Sequence, residues 1–176
     1  MLIHPLPDLW LLSDERNDAT LESALERLPD RSAFVFRHYH LAADDRRERY
    51  KMLRSICRSK NHLLILSGDP DCATEWAADG VYGAPGIMEN AAPLLHIATA
   101  HDEQEIAAAE ATGADAIMLS PIFPTRSHPD APALGPERFH ALADSTPIPV
   151  IALGGMSAKR ARELGVARWA AIDGLS

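Results

Sequence analysis

The chain has 176 residues, 47% of them hydrophobic and 24% charged, with a formal net charge of −8 at pH 7. These values are ordinary for one globular domain spanning residues 1–176, and they do not suit a disordered or fibrous chain. The acidic balance argues against nucleic acid or an anionic membrane as a partner, because both attract clustered Lys and Arg. A basic run over residues 46–60 includes acidic residues as well, so we expect a solvated helix face there.

The cysteines and the lengths of the apolar runs indicate a cytoplasmic protein. Cys57 and Cys72 form no CxxC pair and no cluster with the histidines, so neither a zinc site nor a disulfide framework is indicated. No run approaches the ~18 apolar residues of a membrane span. The N-terminal segment also lacks the charged-then-apolar order of a signal peptide. We therefore expect reduced thiols and no membrane partner.

Short apolar runs alternate with segments of helical period along the whole chain, which is the pattern of parallel βα units. The predicted strands are Leu9–Leu12, Ala33–Tyr39, His62–Leu66, Gly80–Tyr82, Leu94–Ala98, Ala116–Leu119, Val150–Leu153 and Trp169–Ile172. The predicted helices are Leu21–Leu28, Asp44–Ser59, Cys72–Ala78, Asp102–Thr112, Pro136–Asp144 and Ser157–Leu164, with only a turn near Glu89–Ala92.

Eight predicted strands favour a compact α/β fold, a (β/α)8 TIM barrel. Such barrels usually take ~250 residues, so the connections must be short and the last helix shortened or missing. An open doubly wound sheet would more often have a glycine-rich turn after its first strand, where this chain has Ser13-Asp14-Glu15. An apolar side left open at the short eighth unit would predict a homodimer.

Candidate functional residues follow the strands, because barrel sites are built at the carboxyl ends of the strands. Gly154 and Gly155 come directly after the seventh strand and before Ser157, at a predicted helix start that suits a phosphate. Arg37 ends the second strand on the face opposite Phe34 and Phe36. A charged side chain inside a barrel needs an anionic partner, so Arg37 is a candidate ligand contact.

His101 is the candidate for proton transfer. It follows the fifth strand and precedes an acidic helix start, and imidazole is suited to proton transfer near neutral pH. Ser127 and His128 lie on the irregular stretch 121–135, and loops of that length are usually functional. His38 and His40 share a strand face, but no histidines have the helical spacing of a metal pair, and we predict no metal ligands.

Several short motifs follow one another along the chain. WLLSD (10–14), VFR (35–37), ADGV (78–81) and TAH (99–101) precede the two longest, GADAIMLSPIFPT (113–125) and PVIALGGM (149–156). Their order resembles the family of thiamine-phosphate synthases and their thiazole-tautomerase relatives, whose motifs read YLITD, QxRxK, ADGVHLGQ, SxH, GADYxxxGPxFPTxTK and PVVAIGGI. The resemblance covers nearly the whole chain.

The resemblance implies a barrel that binds a thiazole phosphate, with His101 matching the catalytic histidine of the tautomerase branch. The phosphate would lie against Gly154, Gly155 and the loop near Ile172 and Asp173, whose carboxylate must then turn away from it. The residues that would line the substrate site are Arg37, Thr99, Thr125, Ser127 and His128.

The departures from the family motifs affect the binding of diphosphate. A synthase holds an aminopyrimidine diphosphate through Mg²⁺, which prefers carboxylate oxygens. The family's Asn-Asp after the third strand is Ser67-Gly68 here, with Asp69 one step late, and the stretch 82–87 has no carboxylate. The family's lysines are replaced by Tyr39 and His128.

Because these losses occur together, we favour a proton transfer on a thiazole phosphate that needs neither metal nor cofactor. Two alternatives stay open. The first is a divergent thiamine-phosphate synthase that uses Mg²⁺, with Asp69 as a ligand. The second is a barrel that binds a phosphorylated ligand without catalysis. A sugar-phosphate epimerase or isomerase is more distant, because the long proline-containing loop does not fit it.

Overall fold

Eight parallel strands close into a barrel in which each strand pairs with its neighbours in chain order. The computed structural model describes residues 5–87, 93–126 and 132–175. The strands are β1 (Leu9–Leu12), β2 (Ala33–Phe36), β3 (Leu63–Ser67), β4 (Gly80–Gly83), β5 (Leu95–Ala100), β6 (Ala116–Leu119), β7 (Val150–Leu153) and β8 (Trp169–Ala171). The predicted (β/α)8 barrel is therefore confirmed.

Helices connect most successive strands and pack outside the barrel. They are α1 (Leu21–Arg27), α2 (Ala43–Ser59), α3 (Pro70–Glu75), α4 (Glu103–Ala111), α5 (Gly135–Asp144) and α6 (Ala158–Leu164). Three 3₁₀ turns, Glu15–Thr20, Pro85–Ile87 and Asp173–Leu175, follow β1, β4 and β8. The turn predicted near residues 89–92 lies outside the described residues.

The strands alternate between an interior face and a face covered by helices, because successive side chains of a strand point to opposite sides. On β2, Ala33 and Val35 belong to the interior cluster, whereas Phe34 and Phe36 pack outward. The interior is filled from all eight strands by Trp10, Leu12, Ala33, Val35, Ile65, Tyr82, Ile97, Ala116, Met118, Ile151 and Ala170. The barrel is thus a packed core, and a ligand can lie only at its rim.

The outer apolar core divides into two clusters, one for each half of the barrel. The first contains Leu25, Phe36 and Leu53, packed between β1–β4 and helices α1–α3. The second contains Ile106 and Phe139, packed between β5–β8 and helices α4–α6.

Side-chain caps fix the starts of α3, α4 and α6. The carboxylate of Asp102 accepts from the backbone N–H groups of Gln104 and Glu105, each at 2.9 Å. Ser157 caps α6, and Gly165 ends that helix in the left-handed conformation, with φ 71°. The cap at Ser157 agrees with the helix start predicted there.

Most predicted bounds agree with the structure to within one residue, but those of β2, β5 and α3 differ by two or three residues. β2 stops at Phe36 rather than Tyr39, because His38 has a φ of 43° that takes the chain out of the strand. Consequently His38 and His40 do not share a strand face. Helix α3 begins at Pro70 rather than Cys72, because Asp69 caps it and proline suits a first turn.

The expected solvated face over residues 46–60 is only partly observed. Arg47 and Lys51 do form exposed ion pairs, with Glu75 and Glu48. Arg46 and Arg49 instead turn toward the barrel: the Arg46 guanidinium lies over the rings of Phe36 and Trp76, and the Arg49 side chain is only 14% exposed.

Cys57 is buried and Cys72 is half-buried, and both are free thiols. Burial raises the pKa of the Cys57 thiol to about 12, so it stays protonated. Among the helices of residues 5–87, 93–126 and 132–175, none has the length and apolar character needed to cross a bilayer.

Candidate active site

A pocket of about 1290 Å³ lies at the carboxyl ends of the strands, where barrel sites are formed. Its described lining includes residues that follow β1 through β8, from Arg16 and Arg37 to His101, Gly154 and Asp173. The volume exceeds the usual range of roughly 300–1,000 Å³ for small-molecule sites.

The pocket is positively charged although the chain as a whole is acidic. Its described lining contains five arginines, Arg16, Arg37, Arg126, Arg138 and Arg160, against two carboxylates, Asp102 and Asp173. The whole chain has a formal charge of −8. Such a local excess of positive charge raises the concentration of anions in a cleft and favours an anionic ligand.

Arg37 stands at the end of β2 on the interior side and is half-buried, as the strand alternation predicts. Among the described residues the nearest carboxylate is Asp14, whose Oδ2 lies 3.9 Å from Nη2 of Arg37. The guanidinium also lies 5.5 Å from the ring centroid of Tyr39. At 3.9 Å this ion pair leaves Arg37 able to contact a ligand anion more closely.

The backbone on both sides of Arg37 is held by side chains. Its N–H donates to the hydroxyl of Ser13 at 2.7 Å, and its carbonyl accepts from Nε of Arg46 at 2.9 Å. Nη2 of Arg46 also donates to the carbonyl of Ser67 at 2.7 Å. Arg46 therefore ties the carboxyl ends of β2 and β3 together beneath the pocket.

His101 lies exposed on the rim, directly after β5. Its Nδ1 is 2.6 Å from the main-chain carbonyl oxygen of Ser120, and its backbone N–H donates to Glu105 at 2.7 Å. A carbonyl can only accept, so Nδ1 carries the proton and Nε2 of the neutral ring is the basic nitrogen. Thr99, two residues earlier, also lines the pocket.

Gly154 and Gly155 line the pocket where β7 ends, with φ values of 101° and 62°. A Cβ on Gly154 would lie 2.6 Å from Cα of Pro121, and a Cβ on Gly155 would lie 2.9 Å from the carbonyl oxygen of Pro124. Both positions therefore require glycine, since the backbone of the loop after β6 packs directly on them. Thr125 of that loop lines the pocket too.

Asp173 lines the pocket beside β8, and its carboxylate is 3.8 Å from Nε of Arg16. Arg16 also approaches Asp14, with Nε 3.3 Å from Oδ1. The Arg16 guanidinium thus partly neutralises both carboxylates, which reduces the repulsion that Asp173 would otherwise exert on a phosphate.

The rim at β3 and β4 carries hydroxyl groups where the resembled synthases carry a metal-binding carboxylate. The Tyr39 and Ser67 hydroxyls are hydrogen-bonded to each other, and Ser67 Oγ donates to the carbonyl of Tyr82 at 3.3 Å. Burial raises the pKa of Tyr82 to about 12, so its phenol stays neutral. The described residues at this rim therefore do not fit Mg²⁺, which prefers charged oxygen ligands.

Asp69, the alternative metal ligand considered above, does not line the pocket. Its carboxylate instead accepts the N–H of Asp71 at 2.6 Å and caps α3. Asp18, His38 and His40 bring three ligand-type atoms within 4.8 Å of one another. Arg49 already occupies the cation position there, because its Nε lies 2.7 Å from Asp18 Oδ1.

The structure thus brings most of the predicted site residues to one pocket. They are Arg37, Thr99, His101, Thr125, Gly154, Gly155 and Asp173. Ser127 and His128 lie outside the described residues. Four arginines of the lining were not predicted, because they lie on turns, loops and helix starts where no strand period indicates a direction: Arg16, Arg126, Arg138 and Arg160. The position of Arg160, five residues after the glycine pair, was the one available signal.

The fold and the pocket define a (β/α)8-barrel protein with a cationic ligand site at the carboxyl ends of its strands. Residues 9–175 match the family model described as thiamine monophosphate synthase. The chain belongs to this family.

Among curated relatives, the thiamine-phosphate synthase of Pyrococcus furiosus is 31% identical over 163 residues, covering 89% of this chain and 79% of that protein. The thiamine-phosphate synthase of Geobacillus thermodenitrificans is 30% identical over 166 residues, covering 87% and 75%. A solved structure of thiamine phosphate pyrophosphorylase from Pyrococcus furiosus superposes with a TM-score of 0.79 at 29% identity, covering 95% of this chain and 85% of that one.

Proposed function

We propose that this chain binds a thiazole phosphate in the arginine-lined pocket and transfers a proton on it without a metal. The single observation that carries the proposal is the position of His101. Its Nδ1 is committed to the Ser120 carbonyl, so Nε2 is available as a base at the rim of a pocket that attracts anions.

The charged groups of the pocket support a phosphorylated ligand. Arginine binds phosphate oxygens through its planar fork, and the pocket lining offers arginines on both sides of the rim, from Arg37 after β2 to Arg160 on α6. Gly154 and Gly155 allow a ligand to approach the backbone closely, because neither has a Cβ.

A proton transfer requires fewer protein groups than the displacement of diphosphate does. A proton transfer needs an anchor for the phosphate and one acid–base group, which Arg37 and His101 can supply. Diphosphate displacement also needs Mg²⁺ and carboxylates to hold it. After β2 and at the end of β3 the described residues offer the hydroxyls of Tyr39 and Ser67 instead.

A second candidate is the thiamine-phosphate synthase reaction, which joins a thiazole phosphate to an aminopyrimidine diphosphate. The comparisons favour it over the proton transfer, because the relatives at 30–31% identity carry that name. The volume of about 1290 Å³ is also generous for one small substrate. Both candidates share the thiazole phosphate as ligand.

The two reactions can be separated in one experiment with purified protein. One sample receives a thiazole phosphate carboxylate and EDTA, and NMR follows isomerisation of the ring. A second sample receives a thiazole phosphate, the aminopyrimidine diphosphate and Mg²⁺, and the release of diphosphate is measured. The His101→Asn variant is run beside the wild type in both samples.

Isomerisation in EDTA that His101→Asn abolishes would support the proton transfer. Diphosphate release that depends on Mg²⁺ would instead assign the synthase reaction to this chain. Binding of the thiazole phosphate with turnover in neither sample would leave a binding protein and refute both reactions.

A further inference from the structure

A hydrogen-bonded chain of three side chains runs beneath Arg37, outside the lining of the pocket. His38 is buried, with 1% of its surface exposed, and its ring stacks on Phe36 at 4.5 Å between centroids. Its Nδ1 lies 2.8 Å from Oγ of Ser13, and its Nε2 lies 2.8 Å from Oδ1 of Asp18. The other partner of Ser13 Oγ is the backbone N–H of Arg37, at 2.7 Å.

The protons in this chain have one consistent arrangement. Burial acts to raise the pKa of Asp18, but its bonds to His38 and Arg49 hold that pKa below the usual value, so the group is a carboxylate. A carboxylate only accepts, so His38 donates from Nε2. Burial lowers the pKa of His38, which favours the neutral ring, and in that ring Nδ1 is the acceptor. Ser13 therefore donates to His38 and is left to accept from the N–H of Arg37.

We propose that Ser13, His38 and Asp18 are positioning residues that hold Arg37 for the anionic group of the ligand. The proposal rests on the proposed function only in taking the ligand as an anion. Ser13 links β1 to β2, since its N–H donates to the Val35 carbonyl at 2.9 Å while its hydroxyl accepts from Arg37. Its neighbour Asp14 is thereby placed within 3.9 Å of the Arg37 guanidinium.

The backbone of His38 indicates that this arrangement is imposed by its surroundings. A φ of 43° is uncommon for a residue other than glycine and persists only where neighbouring contacts hold it. Phe36, Ser13 and Asp18 supply those contacts. Arg49 holds Asp18 in turn, with Nε at 2.7 Å from the oxygen that His38 uses.

The first test needs no ligand. The ¹⁵N heteronuclear NOE of the Arg37 Nε–H is measured in the wild type, with the signal assigned by its absence in Arg37→Lys. We expect a rigid Nε–H in the wild type and a mobile one in Ser13→Ala. The control is His140→Asn, which alters an exposed imidazole on α5 in the other half of the barrel and should leave Arg37 rigid.

Two variants of His38 separate positioning from folding. Asn places its amide where Nδ1 was and can still bind Ser13, and it tolerates a positive φ. Gln reaches the Nε2 position and can bind Asp18 alone. We expect Arg37 to stay rigid in His38→Asn and to become mobile in His38→Gln, even if both variants unfold at similar temperatures.

The second test is a double-mutant cycle with the thiazole phosphate carboxylate of the proposed function as the probe. Ser13→Ala should weaken binding about three- to tenfold, the value of one hydrogen bond, but should have no effect in an Arg37→Met background. An equal loss in both backgrounds, or an Arg37 that stays rigid in Ser13→Ala, would overturn the proposal. If the wild type does not bind this ligand, the proposed function is refuted, and the NMR result alone decides on the positioning chain.

Discussion

Nδ1 of His101 lies 2.6 Å from the main-chain oxygen of Ser120, and this contact joins the carboxyl ends of β5 and β6. It fixes which ring nitrogen carries the proton, and it does so through the backbone rather than through a side chain. The Ser120 hydroxyl is farther from Nδ1, at 3.4 Å.

The His101→Asn variant should lose turnover while keeping the ligand. Asn retains a donor near the Nδ1 position for the Ser120 carbonyl, but it removes Nε2, the base. We expect kcat to fall by about 10²- to 10⁴-fold, the usual contribution of general acid–base catalysis, with little change in KM. Steady-state kinetics of the isomerisation measures both. His140→Gln, at an exposed position on α5, is the control; turnover of His101→Asn within a few-fold of wild type would remove His101 from the mechanism.

Gly154→Ala should destabilise the protein more than Gly165→Ala. Both glycines have positive φ, 101° and 71°, so alanine is strained at each. Only at Gly154 does the new Cβ also meet Cα of Pro121, at 2.6 Å, whereas nothing lies within 4 Å of a Cβ on Gly165. We expect a loss of about 1 kcal/mol at Gly165 and about 3 kcal/mol or more at Gly154. Urea unfolding measures the two values, and equal losses would show that strain alone acts.

Arg46→Lys should destabilise the protein by about 2 kcal/mol. The Arg46 guanidinium lies over the rings of Phe36 and Trp76 and donates to two carbonyls, those of Arg37 and Ser67, and the single ammonium of lysine cannot reproduce this geometry. The matched control is Arg47→Lys on the next position of α2, where an exposed ion pair with Glu75 is worth about 0.5 kcal/mol or less. Urea denaturation compares them. A loss for Arg46→Lys no larger than that for Arg47→Lys would mean that the fork of Arg46 contributes nothing.

The stability of the protein should fall as the pH drops below about 6.5, the ordinary pKa of histidine. Burial lowers the pKa of His62 in the folded state, so below pH 6.5 the unfolded chain binds a proton more readily than the folded chain does. The contribution of His62 to stability is therefore present above pH 6.5 and is lost as the pH falls through the lowered pKa. His62→Gln keeps a donor for the Leu25 carbonyl, which His62 contacts at 2.9 Å, and should flatten the pH dependence.

Free energies of unfolding between pH 7.5 and pH 5 test this prediction. Part of the slope should remain in His62→Gln, because burial also lowers the pKa of His38, against the opposing effect of Asp18, and of His96. The exposed His140→Gln variant should follow the wild type. If His62→Gln also follows the wild type, burial of His62 does not control acid stability.

The barrel was predictable because alternating apolar runs and helical segments indicate parallel βα units, and eight strands without a glycine-rich turn after the first favour a closed barrel over an open sheet. Arg37, Thr99 and His101 were predictable as rim residues, since each lies at or just beyond a strand end. The end of β2 was not, because the φ of His38 depends on contacts with Ser13 and Asp18 that are distant in sequence. Arg46 was assigned to solvent for the same reason: Phe36 and Trp76 come from other segments.

The division of the outer core into two clusters has a consequence for how the barrel opens. The outer packing of β1–β4 with α1–α3 and that of β5–β8 with α4–α6 can open as separate cooperative units, while the interior cluster joins all eight strands. The pocket takes Arg37 from one unit and His101 and Gly154 from the other. A ligand that contacts both units binds only when both units are closed. Its binding free energy therefore opposes the opening of either unit, and in the complex the two units should open together.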